Sequence, residues 1–371
     1  MKVLHIITGL RNGGAERTLF RIVSSEKEHT HFVISLMDLG VYGERLLKLG
    51  HAVEVLNMKK AQFSFWAFFT LFKLIKNFQP DVIQTWMYHA DLIGGLVGRV
   101  VGVKYVFWGI RGPYNKSLTP TTTKIVVKIC ALLSYIVPFA IVSNSKHAIK
   151  AHITEGYSKR RFVHIPNGYD AEVYNSKYSI RDHLNLDEET ILFGMVGRYD
   201  PYKDHKNLLT AFSELTKSVS NIALVLVGPN MDHSNKELLR IIEGCNINQF
   251  VFLLGSRKDV PNVMESLDIH VLSSLSESFP NVLLEAMAAG TPCVSTDVGD
   301  AATIVGDTGW VVPPSDPHVL KNGMLVALDA MQNKQNWNKL KNSCRERVCS
   351  EFNQEKMINL YRELWSEAAR G

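Results

Sequence analysis

The chain has few cysteines, and none are spaced as a pair. Its 371 residues include five scattered cysteines, an odd number, and no Cys-x-x-Cys motif occurs. Small disulfide-stabilised domains need paired cysteines, and structural zinc sites typically use closely spaced ones. The sequence therefore predicts neither a disulfide framework nor a zinc site, and a cytoplasmic location is expected.

Long apolar runs are also missing. Residues 63–75 are too few to span a bilayer, and residues 125–142 are interrupted by a lysine and a proline. The second run divides better into a buried helix that ends near Tyr135 and a strand over residues 139–142. The N-terminal MKVLHIITGL is too short for a signal peptide and is typical of a first β-strand.

Positive charge is concentrated in the first half of the chain. Residues 1–178 contain 23 Lys and Arg against 11 Asp and Glu, a net charge of +12, whereas the remainder has a net charge of −7. This excess predicts an anionic partner for the first half. No nucleic-acid recognition motif accompanies the charge, so no nucleic-acid partner is expected, and anionic lipid or a phosphorylated acceptor fits better.

Short β-branched runs alternate with helical patterns throughout, which is typical of parallel strands joined by crossover helices. A polar stretch between about residues 170 and 190 separates two such series. The predicted fold class is therefore α/β, with two Rossmann-like, doubly wound parallel-sheet domains at residues 1–175 and 176–353. Ligand is expected between the two sheets, outside the carboxyl ends of their strands. The predicted strands are VLHIIT, HFVISLM, AVEVLNM, DVIQTWM, YVFWGI, AIVSNS, VHIPN, ILFGMVGR, ALVLVG, VFLLG, DIHVLS, PCVST and GWVVP.

A helix that begins near residue 280 is predicted to bind phosphate. In SESFPNVLLEAMAAGTP, residues 276–292, Ser278 can cap the helix and Pro280 fits its first turn, where a missing N–H costs nothing. The backbone amides of Asn281 and Val282 then face an anion, because the N-terminus of a helix attracts negative charge.

Two carboxylates flank this helix start. Glu277 precedes the helix and Glu285 lies about a turn and a half inside it, so both can face one ligand from different heights. Carboxylates repel phosphates but make strong hydrogen bonds to hydroxyls. Two hydroxyl binders beside a phosphate binder describe a nucleoside diphosphate sugar. The alternative is a capped helix with one N-terminal acid favoured by the helix dipole.

The first strand is followed by a glycine-rich turn, GLRNGGAE, at residues 9–16. Gly13 and Gly14 would let backbone amides approach a phosphate closely. The alternative is a tight turn without ligand. The glycines do not match Gly-x-Gly-x-x-Gly, but Asp38 ends the second strand where the ribose-binding acid of a dinucleotide enzyme would sit, so a dehydrogenase-like first domain stays open.

Two cations follow the first strand of the second series. Arg198 and Lys203 lie in GRYDPYK, where an arginine fork can grip a diphosphate and a lysine adds a mobile point charge. Such a pair neutralises a leaving diphosphate without metal. Asp-x-Asp, the usual cue for divalent metal in many nucleotide-sugar enzymes, occurs nowhere, so no metal or cofactor is expected. The alternative is a pair of solvated surface cations.

These motifs together resemble glycosyltransferase family 4, whose members are retaining enzymes of the two-Rossmann-domain GT-B architecture. The resemblance covers nearly the whole chain, in a consistent order and spacing. It rests on GGAE at 13–16, VSNS at 142–145, IPNGYD at 165–170, GRYDPYKDHKNLL at 197–209, LVLVG at 224–228, FLLGSRKDV at 252–260 and the block from Glu277 to Glu285.

The resemblance implies roles for the second-domain residues. Arg198 and Lys203 would hold the donor diphosphate, Glu285 the ribose hydroxyls, and Glu277 a donor-sugar hydroxyl near the reacting carbon. Arg257, in FLLGSRKDV, would join the donor-binding set. The reaction implied is front-face transfer with retention, in which the departing phosphate oxygen takes the acceptor proton and catalysis rests on positioning and electrostatics.

The resemblance also extends to the first domain and marks one departure. His89, in TWMYHADLIG, is similar to the family's first-domain histidine near the donor sugar, although a lone histidine at a helix start is more often structural. Arg111, in WGIRGP, is predicted to bind acceptor or phosphate, with a structural ion pair as the alternative. Ser278 stands where the family commonly has glycine, which leaves the donor sugar open. The helix at 354–371 is expected to pack back on the first domain.

The partners implied are a nucleotide-sugar donor, UDP-linked by preference, and a glycan or polyprenyl-diphosphate-linked acceptor in surface polysaccharide synthesis.

Residues 59–78, KKAQFSFWAFFTLFKLIKNF, carry aromatics around too much of a helix for one core-facing stripe, with four flanking lysines. Contact with an anionic membrane surface is therefore expected, against packing of most aromatics into the core. A sugar-nucleotide epimerase or hydrolase, or an inactive binding scaffold, are the alternative functions.

Overall fold

The computed structural model describes residues 1–58, 65–112, 114, 116, 119–170 and 179–370. The chain forms two compact units, one comprising Met1–Asn167 with Glu355–Gly371 and the other Gly168–Gln354. The first unit thus ends at residue 167 where the sequence placed the boundary at 175, and residues 171–178 of the predicted linker lie outside the described part. The C-terminal segment belongs to unit 1.

The elements alternate between strand and helix. The strands are β1 Lys2–Ile7, β2 Thr30–Ser35, β3 Ala52–Val55, β4 Val82–Trp86, β5 Tyr105–Ile110, β6 Ala140–Ser143, β7 Phe162–His164, β8 Ile191–Val196, β9 Ile222–Val227, β10 Val251–Gly255, β11 Ile269–Leu272, β12 Cys293–Thr296 and β13 Gly309–Val312. The helices are α1 Gly14–Ser25, α2 Gly40–Lys48, α3 Phe65–Phe78, α4 Tyr88–Val101, α5 Thr121–Leu133, α6 Lys146–Thr154, α7 Ile180–His183, α8 His205–Leu215, α9 Lys236–Gly244, α10 Val260–Ser266, α11 Asn281–Ala289, α12 Ala301–Val305, α13 Pro317–Met331, α14 Lys334–Glu351 and α15 Gln354–Arg370.

Each unit is built on one parallel sheet. In unit 1 the strand order is β3-β2-β1-β4-β5-β6-β7, and in unit 2 it is β10-β9-β8-β11-β12-β13. Strands buried on both faces, such as VIQTW in β4 and IALVLV in β9, explain the continuous apolar runs of the sequence. The predicted class, two doubly wound α/β domains, is confirmed. The order reverses beside β1 in unit 1 and beside β8 in unit 2, and the carboxyl ends of strands at such points are the usual ligand sites.

Helix α15 packs against the sheet of unit 1. Its residues Met357, Ile358, Tyr361 and Trp365 are buried in the same core cluster as β1 residues such as Val3. Burying large aromatic side chains contributes strongly to stability, so the C-terminal helix is an integral part of unit 1.

A buried polar cluster lies next to α15. His31 bridges His5, at 2.9 Å between ring nitrogens, and the Glu26 carboxylate, at 2.7 Å. Burial, together with the neighbouring His31, holds the pKa of His5 well below its usual range, so His5 is neutral. Burial tends to raise the pKa of Glu26, but hydrogen bonds from His31, the backbone and His29 lower it to about 2.

Helix α5 differs from its prediction as a buried helix. It ends at Leu133, and although Val127 and Cys130 are buried, Ile125 and Leu132 are 56% and 77% exposed. The sequence makes this helix apolar on more than one side. In the structure only one of those sides packs against the core. Within the described ranges, no helix is both long and apolar enough to cross a membrane.

Helix α3 carries part of the segment predicted to meet a membrane. Trp66 and Phe69 are 65% and 62% exposed, whereas Leu71 and Ile75 are buried in the core. The expectation that some of these aromatics are exposed is therefore confirmed for two of them. Lys59, Lys60 and Phe63 lie outside the described residues.

Candidate functional site

Helix α11 begins two residues later than a cap at Ser278 would place it. Pro280 occupies the N-cap position and Asn281 is the first helical residue, with no side-chain capping bond. The predicted cap at Ser278 is therefore wrong, because Ser278 lies two residues upstream and is itself buried. The amides of Asn281 and Val282 still form the first turn, as the phosphate-binding prediction requires.

A glycine holds the Glu277 loop in place. Gly299 has φ +59, and a Cβ there would lie 2.4 Å from the Ser278 carbonyl oxygen and 2.5 Å from that of Glu277. The next amide, Asp300 N–H, donates to the Ser278 carbonyl at 3.0 Å. Only glycine allows this close approach, so the loop before α11 is fixed by the loop after β12.

Lys203 and Glu277 form an ion pair. Lys203 Nζ lies 2.6 Å from Glu277 Oε1, and their side chains are 15% and 17% exposed. Ser274 Oγ donates to the same carboxylate oxygen at 2.9 Å. The sequence analysis gave these residues separate roles in ligand binding. It did not predict that they pair, because they lie 74 positions apart in the chain.

The backbone of Lys203 is fixed from β11. Ser273 Oγ, fully buried, donates to the carbonyl oxygens of Lys203 and Asp204 at 2.8 and 3.1 Å. Leu275 N–H donates to the Tyr202 carbonyl at 2.7 Å. The sequence analysis did not name Ser273 or Ser274 as candidate site residues. Their position directly after β11, which neighbours β8 in the sheet, could have indicated them.

Arg198 follows β8 and is paired within its own loop. Its Nε lies 2.8 Å from Asp200 Oδ2, and the side chain is 63% exposed. Although burial raises the pKa of Asp200, hydrogen bonds from Arg198 and the Tyr202 amide bring it below its ordinary value. The carboxylate orients the guanidinium at the carboxyl end of the strand.

Two buried histidines, His205 and His270, lie near Lys203. Burial, assisted by the nearby Lys203 charge, lowers the pKa of His205 to about 4 and that of His270 to about 3. Both imidazoles are therefore neutral near neutral pH. An anion bound beside Lys203 therefore gains no positive charge from these two histidines.

Glu285 and Arg257 complete the second-unit set. Glu285 is 4% exposed on α11, and its role in binding ribose hydroxyls stays a prediction. Arg257 makes a two-pronged pair with Asp259, at 2.8 and 2.6 Å, and this pair lowers the pKa of that carboxyl. Its donor-binding role stays a prediction.

His89 is the second residue of α4 and follows a strained turn. Met87, the N-cap, has φ 74 and ψ 155, a backbone conformation that residues other than glycine rarely adopt. Asp91 Oδ1 accepts hydrogen bonds from Thr85 Oγ1 at 2.5 Å and from Gly109 N–H at 3.0 Å. These bonds hold the turn and with it the direction in which His89 leaves the sheet.

The glycine-rich turn ends at the start of α1. Gly13 is the N-cap and Gly14 the first helical residue, so backbone amides occur where a phosphate was predicted. Asp38 lies three residues beyond the end of β2 and binds Arg11 Nε at 2.8 Å. Asp38, the candidate ribose ligand of a dinucleotide site, is thus bonded to the loop after β1.

Arg111 lies inside unit 1, and its role in binding acceptor or phosphate stays a prediction. It is 8% exposed, donates to Asn167 and to the Tyr361 hydroxyl, and stacks over Trp86 with its guanidinium carbon 4.9 Å from the ring centre. These contacts join the residue after β5 to α15. The partners are neutral, not the carboxylate of an ion pair.

No cluster of three or more potential metal ligands occurs in the part of the chain that the structure describes. Unit 2 brings the Lys203 ammonium and the Glu277 carboxylate together in the loops that precede α8 and α11. Lys203, Glu277, Arg198 and Glu285 all belong to this unit, whereas His89 and the glycine-rich turn belong to unit 1.

Two family models match the chain, and together they cover both units. The model described as Glycosyl transferases group 1 matches residues 176–343, and that described as Glycosyltransferase Family 4 matches residues 12–173.

Named relatives and solved structures agree with these models. The chain is 24% identical over 305 residues to the UDP-Gal:alpha-D-GlcNAc-diphosphoundecaprenol alpha-1,3-galactosyltransferase of Escherichia coli, covering 80% of this chain and 78% of that protein. It is 32% identical over 172 residues to the phosphatidyl-myo-inositol mannosyltransferase of Mycobacterium leprae, covering 45% and 44%. The crystal structure of Anabaena HepE in complex with UDP and glucose superposes with a TM-score of 0.85 at 20% identity, covering 99% and 100%.

Proposed function

The chain belongs to the family 4-like glycosyltransferases of the GT-B fold, and we propose that it transfers a sugar from a UDP-sugar to a lipid-linked glycan, with retention and without metal. Glycosyl transfer in polysaccharide or glycolipid biosynthesis is the general activity of such proteins. The donor nucleotide, the stereochemistry and the acceptor are the specific parts of the proposal.

The observation that carries the proposal is the Lys203–Glu277 pair at 2.6 Å beside the first turn of α11. A cation, helix amides and a carboxylate within one loop set suit a group that is both anionic and hydroxylated. The diphosphate would take Lys203 and Arg198, and the sugar hydroxyls would take Glu277. Glu285 would bind the ribose.

The chemistry that these groups support is dissociation of the diphosphate. As the anomeric carbon–oxygen bond lengthens, negative charge grows on the phosphate oxygen, where Lys203 and Arg198 stabilise it. The acceptor hydroxyl then attacks from the same face and gives its proton to the departing phosphate oxygen. His89 would contact a donor-sugar hydroxyl, and Gly13 and Gly14 would present amides to phosphate.

UDP is the favoured nucleotide for two reasons. The Escherichia coli relative is named for UDP-Gal, and HepE was solved with UDP. A lipid-linked acceptor is favoured because two relatives are named for lipid substrates, diphosphoundecaprenol and phosphatidyl-myo-inositol. The net charge of +12 in residues 1–178 suits an anionic lipid surface, to which the exposed Trp66 and Phe69 would add interfacial anchors.

Thermal unfolding of the full chain with UDP, GDP, ADP and their sugars tests the donor part. A ligand at 100 times its dissociation constant stabilises the folded state by about 2.7 kcal/mol, so UDP should give the largest rise in Tm. Glu285→Ala should lose that rise, whereas Glu214→Gln, at a carboxylate bonded to His318 elsewhere in unit 2, should keep it. Equal Tm values with all nucleoside diphosphates and without them would contradict the proposal.

A further inference from the structure

Unit 1 contains a cavity of about 800 Å³ whose long walls are apolar. Helix α4 contributes Leu92, Ile93 and Leu96, and helix α5 contributes Ile125, Val126 and Ile129. None of these six side chains can donate or accept a hydrogen bond. Leu96, Ile125 and Ile129 are 37%, 56% and 40% exposed, so the apolar wall is open to solvent.

The helices around the cavity have an unusual charge pattern. Within α3, α4 and α5 there is one carboxylate, Asp91, and it is 1% exposed. The cations of the same helices are Lys73, Lys76, Arg99, Lys124 and Lys128. A surface that combines exposed apolar side chains with cations and no exposed acid is complementary to the interface of an anionic membrane.

One end of the cavity is polar. Thr8, which follows β1, and Asp38, which follows β2, line this end. Glu16, near the start of α1, and His89, near the start of α4, line it also. Thr8 Oγ1 and Asp38 Oδ1 are buried and have no hydrogen-bond partner within the described residues. Buried polar atoms are usually satisfied, so these two indicate a place where a ligand hydroxyl binds.

We propose that this cavity binds the hydrocarbon chain of the acceptor lipid, with a sugar hydroxyl of the headgroup directed to Thr8 and Asp38. The inference rests on the proposed function, because it takes the acceptor to be lipid-linked. A peptide would bring backbone N–H and C=O groups that the six apolar side chains cannot satisfy, whereas a hydrocarbon chain brings none. The cations outside the cavity then hold the protein at the surface from which the chain enters.

Binding of dodecyl phosphate to the full chain, measured by calorimetry below the micelle concentration with inorganic phosphate as reference, tests the site directly. The parent should bind dodecyl phosphate at least about tenfold more tightly than phosphate, since burying several methylenes contributes far more than one tenfold step. Leu96→Asp and Ile129→Asp should each remove most of that gain. Leu47→Asp is the matched control, because Leu47 is 46% exposed on α2 and outside the cavity.

Milder variants protect the test against misfolding. If an Asp variant lowers the Tm, Leu96→Ser and Ile129→Ser should still weaken dodecyl phosphate by at least about threefold. Unchanged binding in folded cavity variants would overturn the inference. A dimer in the parent that Leu96→Asp dissociates, seen by light scattering, would overturn it also by assigning the face to a second copy.

Transfer kinetics separate this inference from the proposed function. The acceptors are GlcNAc diphosphate carrying an undecaprenyl chain and the same compound carrying an ethyl group. Leu96→Asp should raise KM at least about tenfold for the long-chain acceptor and leave the short-chain KM and both kcat values near those of the parent. Transfer by the parent with the same KM for both acceptors would overturn the cavity assignment alone. Dodecyl phosphate binding without transfer to either acceptor would instead count against the proposed function.

Discussion

Replacing Glu277 by Gln removes one charge from the pair that lies at the centre of the proposed donor site. Glu277 holds Lys203 at 2.6 Å, so a bound diphosphate would compete with the carboxylate for the ammonium. A hydrogen bond to a charged partner contributes about 1.5 to 3 kcal/mol and a neutral one about 0.5 to 1.5 kcal/mol. The substitution should thus weaken the hold on Lys203 by about 1 to 1.5 kcal/mol.

The expected result is tighter nucleotide binding with slower turnover. UDP affinity, measured by calorimetry, should rise about five- to tenfold, because each 1.4 kcal/mol is a tenfold change. UMP, which lacks the second phosphate, should gain less. Turnover should fall, because Gln lacks the charge that strengthens a bond to a sugar hydroxyl.

The control is Glu214→Gln, which also removes a carboxylate with a cationic partner in unit 2, Lys321 at 3.9 Å. It should leave UDP affinity and turnover unchanged. If Glu277→Gln instead weakened UDP more than about tenfold, the carboxylate would be a nucleotide ligand and the division of roles between Glu277 and Lys203 would be wrong.

Three further results are expected. Arg198→Ala should lower kcat by roughly two to three orders of magnitude with an unchanged Tm, because it removes one stabiliser of the leaving diphosphate; near-normal kcat would remove Arg198 from the site. Glu285→Ala should weaken UDP by about 1.5 to 3 kcal/mol in calorimetry, and an unchanged Kd would exclude it as the ribose ligand. Glu26→Gln should lower the free energy of unfolding in urea by up to about 3 kcal/mol near pH 7, because the folded pKa of about 2 lies below the ordinary value of 4.5. That loss should shrink as pH falls from about 4.5 towards 2, and a pH-independent difference would mean that the bonds from His31 and His29 do not lower the Glu26 pKa.

The fold could be predicted almost completely from sequence. All thirteen runs proposed as strands contain a strand, because strands buried on both faces leave continuous apolar patterns such as IALVLV in β9. The division between the units after residue 167 has no local signal, because the polar stretch that suggested a boundary begins only after Asp170.

The candidate donor-binding residues could be named one by one from the sequence, but the contacts between them could not. Strand ends and the helix start identified Lys203, Glu277 and Glu285, because these positions follow from local pattern. The Lys203–Glu277 pair and the support from Ser273 are contacts between segments about 70 positions apart. Such contacts depend on the order of strands in the sheet, which periodicity does not encode.

Other contacts and boundaries also lacked a local signal. Arg111 follows a strand like the other candidate residues, but its bond to Tyr361 of α15, 250 positions away, could not be predicted from the sequence. The predicted cap at Ser278 is wrong because serine and proline near a helix start allow several registers. Helix α5 was predicted as buried because apolar content does not reveal which side of a helix lacks a partner, as the exposed Leu132 demonstrates.

The most direct test of the central claim is the anomeric configuration of the product. The full chain is incubated with an α-linked UDP-sugar, undecaprenyl-diphosphate-linked GlcNAc and EDTA, and the new glycosidic bond is assigned by proton NMR. A metal-independent retaining transferase that uses Arg198, Lys203 and Glu277 should form an α-linked product and release UDP only when acceptor is present. A β-linked product, loss of all activity in EDTA, or equal UDP release without acceptor would contradict the account.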